Sequence, residues 1–93
     1  MAQWELTDTM NWIIDRCMKD PAGHPSGLGL LFQESDIPDE KTDWDGLCLA
    51  METLIGDHLV SATPKHVMGS GGVAFWQPVQ LTRSAFLKFK GAS

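Results

Sequence analysis

Residues 43–57 read Asp43-Trp44-Asp45-Gly46-Leu47-Cys48-Leu49-Ala50-Met51-Glu52-Thr53-Leu54-Ile55-Gly56-Asp57. Trp44, Leu47, Cys48, Met51, Leu54 and Ile55 recur at offsets of three and four, the period of a helix that turns one face to a core. The spacing predicts a helix over 43–57. Beyond Gly56 the pattern changes. Segments 59–68 and 73–81 are rich in Val, Phe, Trp and Thr, and Gly69-Ser70-Gly71-Gly72 between them supplies the positive φ that a hairpin turn needs. A core-facing helix that feeds directly into a hairpin is the unit around which the remaining chain is arranged.

Upstream, Thr7 or Asp8 is the expected N-cap of a first helix that runs to about Lys19, with Met10, Ile13, Ile14, Cys17 and Met18 as its core stripe. Asp20-Pro21 ends it, because the residue before proline is pushed out of the α region. Trp12 lies off that stripe. It is either an exposed interface anchor or a ring packed under the N-terminal segment or the C-terminal tail. Residues 22–27 contain Gly, Pro and Ser and read as a loop in which His24 is a solvated residue. Leu28–Phe32 is the expected first strand. Pro38 suits a first helical turn, so a short second helix is expected over 36–41. Pro64 and Pro78 interrupt the hairpin ladder and point to edge positions or bulges. Thr82 is placed to cap a last helix over 83–90, in which Phe86, Leu87 and Phe89 need burial.

With 43% hydrophobic and 20% charged residues, the 93-residue chain has the composition of one soluble globular domain spanning 1–93. No apolar run approaches the roughly 18 residues that a membrane span requires, and the N-terminus carries no basic-then-apolar leader. A cytoplasmic protein is expected, with Cys17 and Cys48 as free thiols on helix stripes.

Charge is divided unevenly. All 12 acidic residues lie between Glu5 and Asp57, against Arg16, Lys19 and Lys41; from His58 onward there are Lys65, Arg83, Lys88 and Lys90 and no acid. The densest acidic run is Glu34, Asp36, Asp39, Glu40, Asp43 and Asp45. First-turn positions, where the helix dipole favours negative charge, account for some of these but not all six. On the helix over 43–57 the outward positions are Asp43, Asp45, Leu49, Glu52, Thr53 and Asp57. None is cationic. A helix entering a DNA groove must approach two rows of phosphates, and base reading is dominated by Arg, Lys, Asn and Gln. This helix would repel the duplex.

The run from Leu47 to Leu87 resembles the winged-helix superfamily, and within it small winged-helix proteins of phages and prophages. The features that carry the resemblance are the turn Gly56-Asp57-His58-Leu59-Val60, the Gly-tipped hairpin, and the closing segment Leu81-Thr82-Arg83-Ser84-Ala85-Phe86-Leu87-Lys88-Phe89. Ala85 stands where the family pattern has Gly, and Lys88 where it has Phe. The resemblance implies an α+β winged helix-turn-helix: three helices, a short strand plus a hairpin wing, and a short C-terminal helix. It implies either DNA binding or protein docking.

Motifs for chemistry are missing. There is no GxxxxGK[ST], HExxH, CxxC or GxSxG, so no catalytic residue, cofactor or metal is expected. The leading expectation is a non-enzymatic protein-interaction module. Its acidic face, carrying Asp36, Asp39, Glu40, Asp43, Asp45, Leu49 and Glu52 with Trp12 as an anchor, would dock on a basic protein. One version is a phage or mobile-element inhibitor of a host nucleic-acid-binding or defence complex, an anti-CRISPR factor among them. The alternative is a DNA-binding regulator that uses Lys65, His66, Arg83, Lys88 and Lys90 on phosphates. The unequal halves also allow a homodimer held acid face to basic tail.

Overall fold

Asp43 and Asp57 bracket the central helix as the spacing predicts: Asp43 is its N-cap, with Oδ1 accepting from the Gly46 amide at 2.7 Å, and Asp57 its C-cap. The computed structural model describes residues 3–38, 40–67 and 72–91. Within them the chain is α+β. It has helices α1 (Leu6–Lys19), α2 (Trp44–Gly56) and α3 (Arg83–Gly91), and strands β1 (Leu30–Gln33), β2 (Val60–Lys65) and β3 (Phe75–Leu81).

The N-cap of helix α1 lies two to three residues before the expected Thr7 or Asp8. Glu5 is the N-cap, and Asp8 closes the turn from inside, its Oδ2 accepting from the Glu5 amide at 3.0 Å. The helix stops at Asp20 before Pro21, and Asp20 Oδ1 then accepts from Ala22 at 3.0 Å to start a single 3₁₀ turn, Pro21–Gly23. His24 is not a solvated loop residue. It is half-buried, its Nε2–H donates to the Met18 carbonyl at 2.9 Å, and its ring lies 4.7 Å from that of Phe86. It therefore ties the end of α1 to α3.

The short second helix expected over 36–41 does not appear among the described residues 36–38 and 40–41. The turn that forms is 3₁₀, Glu34–Asp36, and lies earlier. Ile37, directly before Pro38, is extended at φ −70° and ψ 128°, as a residue before proline prefers. Glu40 then takes a positive φ of 53°, which no α-helix accommodates. Pro38 therefore works as a breaker here rather than as a helix start. The described helices number three in all, with α3 as the last.

The sheet is antiparallel in the order β1-β3-β2, so β3 is central. The first strand begins two residues later than expected, and Leu28 is left 95% exposed. Both ladders slip at one place. Leu30 pairs with Val79 and Phe32 with Trp76, while Ala62 pairs with Val79 and Pro64 with Trp76. Two steps on each neighbour thus match three on β3, which makes a bulge at Gln77-Pro78, a cis peptide. Both prolines then find tolerated positions, Pro64 on an edge and Pro78 in the bulge. Gly29, at φ +98°, passes so close to Pro78 that a Cβ there would overlap the ring.

The core lies between the helices and one sheet face. Ile13 and Cys17 from α1, Leu47, Ala50, Met51 and Leu54 from α2, Phe32, Val60, Trp76, Val79 and Leu81 from the sheet, and Ala85 from α3 are all buried. Thr82 joins the layers. Its Oγ1 donates to the His58 carbonyl at 2.7 Å and accepts from the Ala85 amide at 3.3 Å, which caps α3. The expected hairpin tip, Gly69 to Gly72, lies outside the described residues except for Gly72.

Candidate partner-binding face

Because α2 buries Leu47, Ala50, Met51 and Leu54, the periodicity that fills the core also fixes what faces outward: Asp45, Leu49 and Glu52, at successive offsets of four and three. All three are exposed, and Leu49 is 54% exposed. An apolar side chain between two carboxylates on one stripe suits a partner that brings cations around an apolar spot. Asp43, at the head of the stripe, is exposed and spends one oxygen on its cap.

The other acids of the run do different things. Asp36 is half-buried, and its Oδ2 accepts from the Gln33 amide at 3.0 Å, so its role is to cap the 3₁₀ turn. Glu40 is exposed. Asp39 lies outside the described residues. Trp12 is not a free anchor. It is half-buried, with its ring 5.7 Å from both Trp4 and Phe32, and the Arg16 guanidinium lies 5.3 Å from its centroid. The packed reading of Trp12, under the N-terminal segment, is the one that holds.

The cations fall into two groups. Lys65 ends β2, opposite Phe75, and His66 follows it, its Nδ1–H donating to the Gly72 carbonyl at 2.9 Å across the hairpin. Arg83 begins α3, just past Leu81, which pairs with Val60 at the other end of the same ladder. At about 3.3 Å per residue the two groups stand roughly 15–20 Å apart along β3. Lys88 and Lys90 are exposed in the last turn of α3, with their ammonium groups 5.9 Å and 5.7 Å from the rings of Phe89 and Phe86. Lys65 and His66 therefore do not converge with Arg83, which lies at the other end of the ladder.

Sequence reasoning missed one feature beside this face. Trp76 is 2% exposed, and its Nε1–H has no hydrogen-bond partner among the described residues. It lies against the half-buried Cys48 thiol, a weak acceptor. Burial pushes the Cys48 thiol up, and the Trp76 N–H pulls it part of the way back. A cross-element pairing of this kind leaves no mark in local sequence.

Among the described residues no group of His, Cys, Asp and Glu is placed to hold a metal ion, and no helix is long and apolar enough to cross a membrane. No family model, curated protein or solved structure matches the chain.

Proposed function

We propose that this chain is a non-enzymatic interaction module that docks the acidic stripe of α2 on a basic protein surface. One observation carries the reading: Asp45, Leu49 and Glu52 stand exposed on one line of the most deeply packed helix, and no cation lies among them. A stripe held by a rigid element presents its charges in fixed register, which favours rate and specificity of association. A surface that normally receives phosphates is the natural match. A phage or mobile-element inhibitor of a nucleic-acid-binding or defence complex is the concrete form of the proposal.

We read the scaffold as a winged-helix variant. Support comes from the element order and the β1-β3-β2 sheet, in which the hairpin follows the central helix directly. The helix that braces a recognition helix on DNA has no counterpart among the described residues between Asp36 and Trp44. That loss suits docking on protein better than docking on a duplex. The exposed residues Lys65, His66, Arg83, Lys88 and Lys90 keep the second reading, DNA binding through the wing and α3, open to test.

Affinity capture from a host lysate, compared between the parent and Asp45→Lys/Glu52→Lys, tests the first reading. Capture should vanish with the charge reversal, and heparin should displace the partner. Capture that ignores the reversal sinks the proposal. A mobility shift at low salt that disappears with Lys65→Ala/Arg83→Ala would replace it with the second reading.

A further inference from the structure

A depression of about 580 Å³ lies at the foot of α2 and is lined by Gln3, Trp4, Glu40, Lys41, Thr42 and Asp43. Its two walls are locked together: the Trp4 amide donates to the Lys41 carbonyl at 2.7 Å. It therefore brings the aromatic residue Trp4, the acids Glu40 and Asp43, Thr42 and Lys41 together around one concave site. Among the described residues the Glu40 carboxylate has no hydrogen-bond or ion-pair partner, and no Lys, Arg or His nitrogen lies within 4 Å of it or of the Asp43 carboxylate, although Lys41 lines the same depression. Asp43 Oδ1 accepts from the Gly46 amide, and among the described residues Oδ2 has no hydrogen-bond or ion-pair partner.

We infer that this depression receives an arginine side chain of the basic partner, an inference that rests on the docking reading above. A guanidinium is planar, so it stacks on an indole while its edge hydrogen-bonds to a carboxylate. An ammonium can do only one of these well. The chain already uses this chemistry beside the site. Its own Arg16 guanidinium stands 5.3 Å from the Trp12 centroid and 5.4 Å from that of Phe32, and Trp12 contacts Trp4 at 5.7 Å. Trp4 is the ring of that aromatic row that borders the depression. The arginine would stack on Trp4, with Glu40 and Asp43 Oδ2 receiving its N–H groups.

The test uses the ¹⁵N-labelled full chain titrated with acetyl-arginine methylamide at low ionic strength. The four tryptophan Nε1–H resonances are followed, and the Trp4 signal is identified by Trp4→Phe. The Trp4 signal should move saturably. Acetyl-lysine methylamide should bind more weakly, and acetyl-norleucine methylamide should leave Trp4 in place. Glu40→Gln, on an exposed side chain, should weaken arginine binding about threefold, and Glu40→Lys should abolish it. A stationary Trp4 signal, an equal response to norleucine, or unchanged binding in Glu40→Gln each overturns the inference. If lysate capture still depends on Asp45 and Glu52 in that case, the docking face survives and only the pocket is lost. If capture fails while Trp4 binds arginine, the pocket stands without the face.

Discussion

The indole Nε1 of Trp44 donates to the carbonyl oxygen of Val73 at 2.7 Å, joining residues 29 apart in the chain. Trp44 is the first residue of α2 and Val73 sits on the approach to β3. The bond therefore pins the distal part of the hairpin to the head of the helix that carries the acidic stripe. Trp44→Phe keeps most of the ring and removes only the donor. We expect a loss of about 1 kcal/mol in urea unfolding, with the Val73 carbonyl left unmet, and faster amide exchange around 72–75.

Thr82 serves two elements with one hydroxyl, donating to His58 and capping α3 through Ala85. Thr82→Ala should lower stability by about 1–2 kcal/mol. Thr82→Ser should recover most of it, because the serine hydroxyl keeps both bonds. Equal loss in the two variants would place the effect in the methyl group instead.

Burial pushes the Cys17 thiol from 9.0 up to about 12. The unfolded chain releases this proton above pH 9.0 while the fold keeps it, so the thiol's contribution is fully present below pH 9.0. It is then lost as pH rises toward 12. The slope should approach about 1.4 kcal/mol per pH unit in that window. Unfolding curves from pH 8 to 11 should fall more steeply for the parent than for Cys17→Ala. The same burial should leave Cys17 unreactive toward a thiol reagent in the native state, with half-buried Cys48 reacting first.

Gly29 combines a φ of +98° with a backbone that has no room for a Cβ beside Pro78. Gly29→Ala should destabilise the fold by more than about 1 kcal/mol, whereas Gly72→Ala, with open space around it, should not. Thermal melts of the two variants give the comparison.

Elements specified by local chemistry were legible in the sequence. The 43–57 helix shows itself through offsets of three and four, and its caps and buried face follow the same count. Thr82 and the two prolines of the hairpin are read correctly because their backbone demands are intrinsic to the residue. The 36–41 segment misleads because proline favours both a first helical turn and a helix break, and only the positive φ at Glu40 decides between them. His24 was illegible for another reason, since it is held by the ring of Phe86, distant in sequence, while Trp12 was legible only as two alternatives, of which packing under the N-terminal segment against Trp4 is the one that forms. The outward residues of α2 could be read from periodicity, but the depression at Trp4 could not. It exists only because residues 3 and 4 lie across residues 40–43.

The bulge at Gln77-Pro78 decides which way Trp76 points. Strict alternation along β3 would send residues 76 and 79 to opposite sides, yet both are buried with Leu81. The inserted residue corrects the parity. Flattening the bulge with all residues kept would swing the indole into water, whereas removing one residue at 77 or 78 would leave Trp76 and Val79 two apart and both inward on a regular ladder. The inner face of this hairpin is thus set by counting as much as by composition: a chain of this architecture can keep it either with the extra residue and its bulge or with one residue fewer and none.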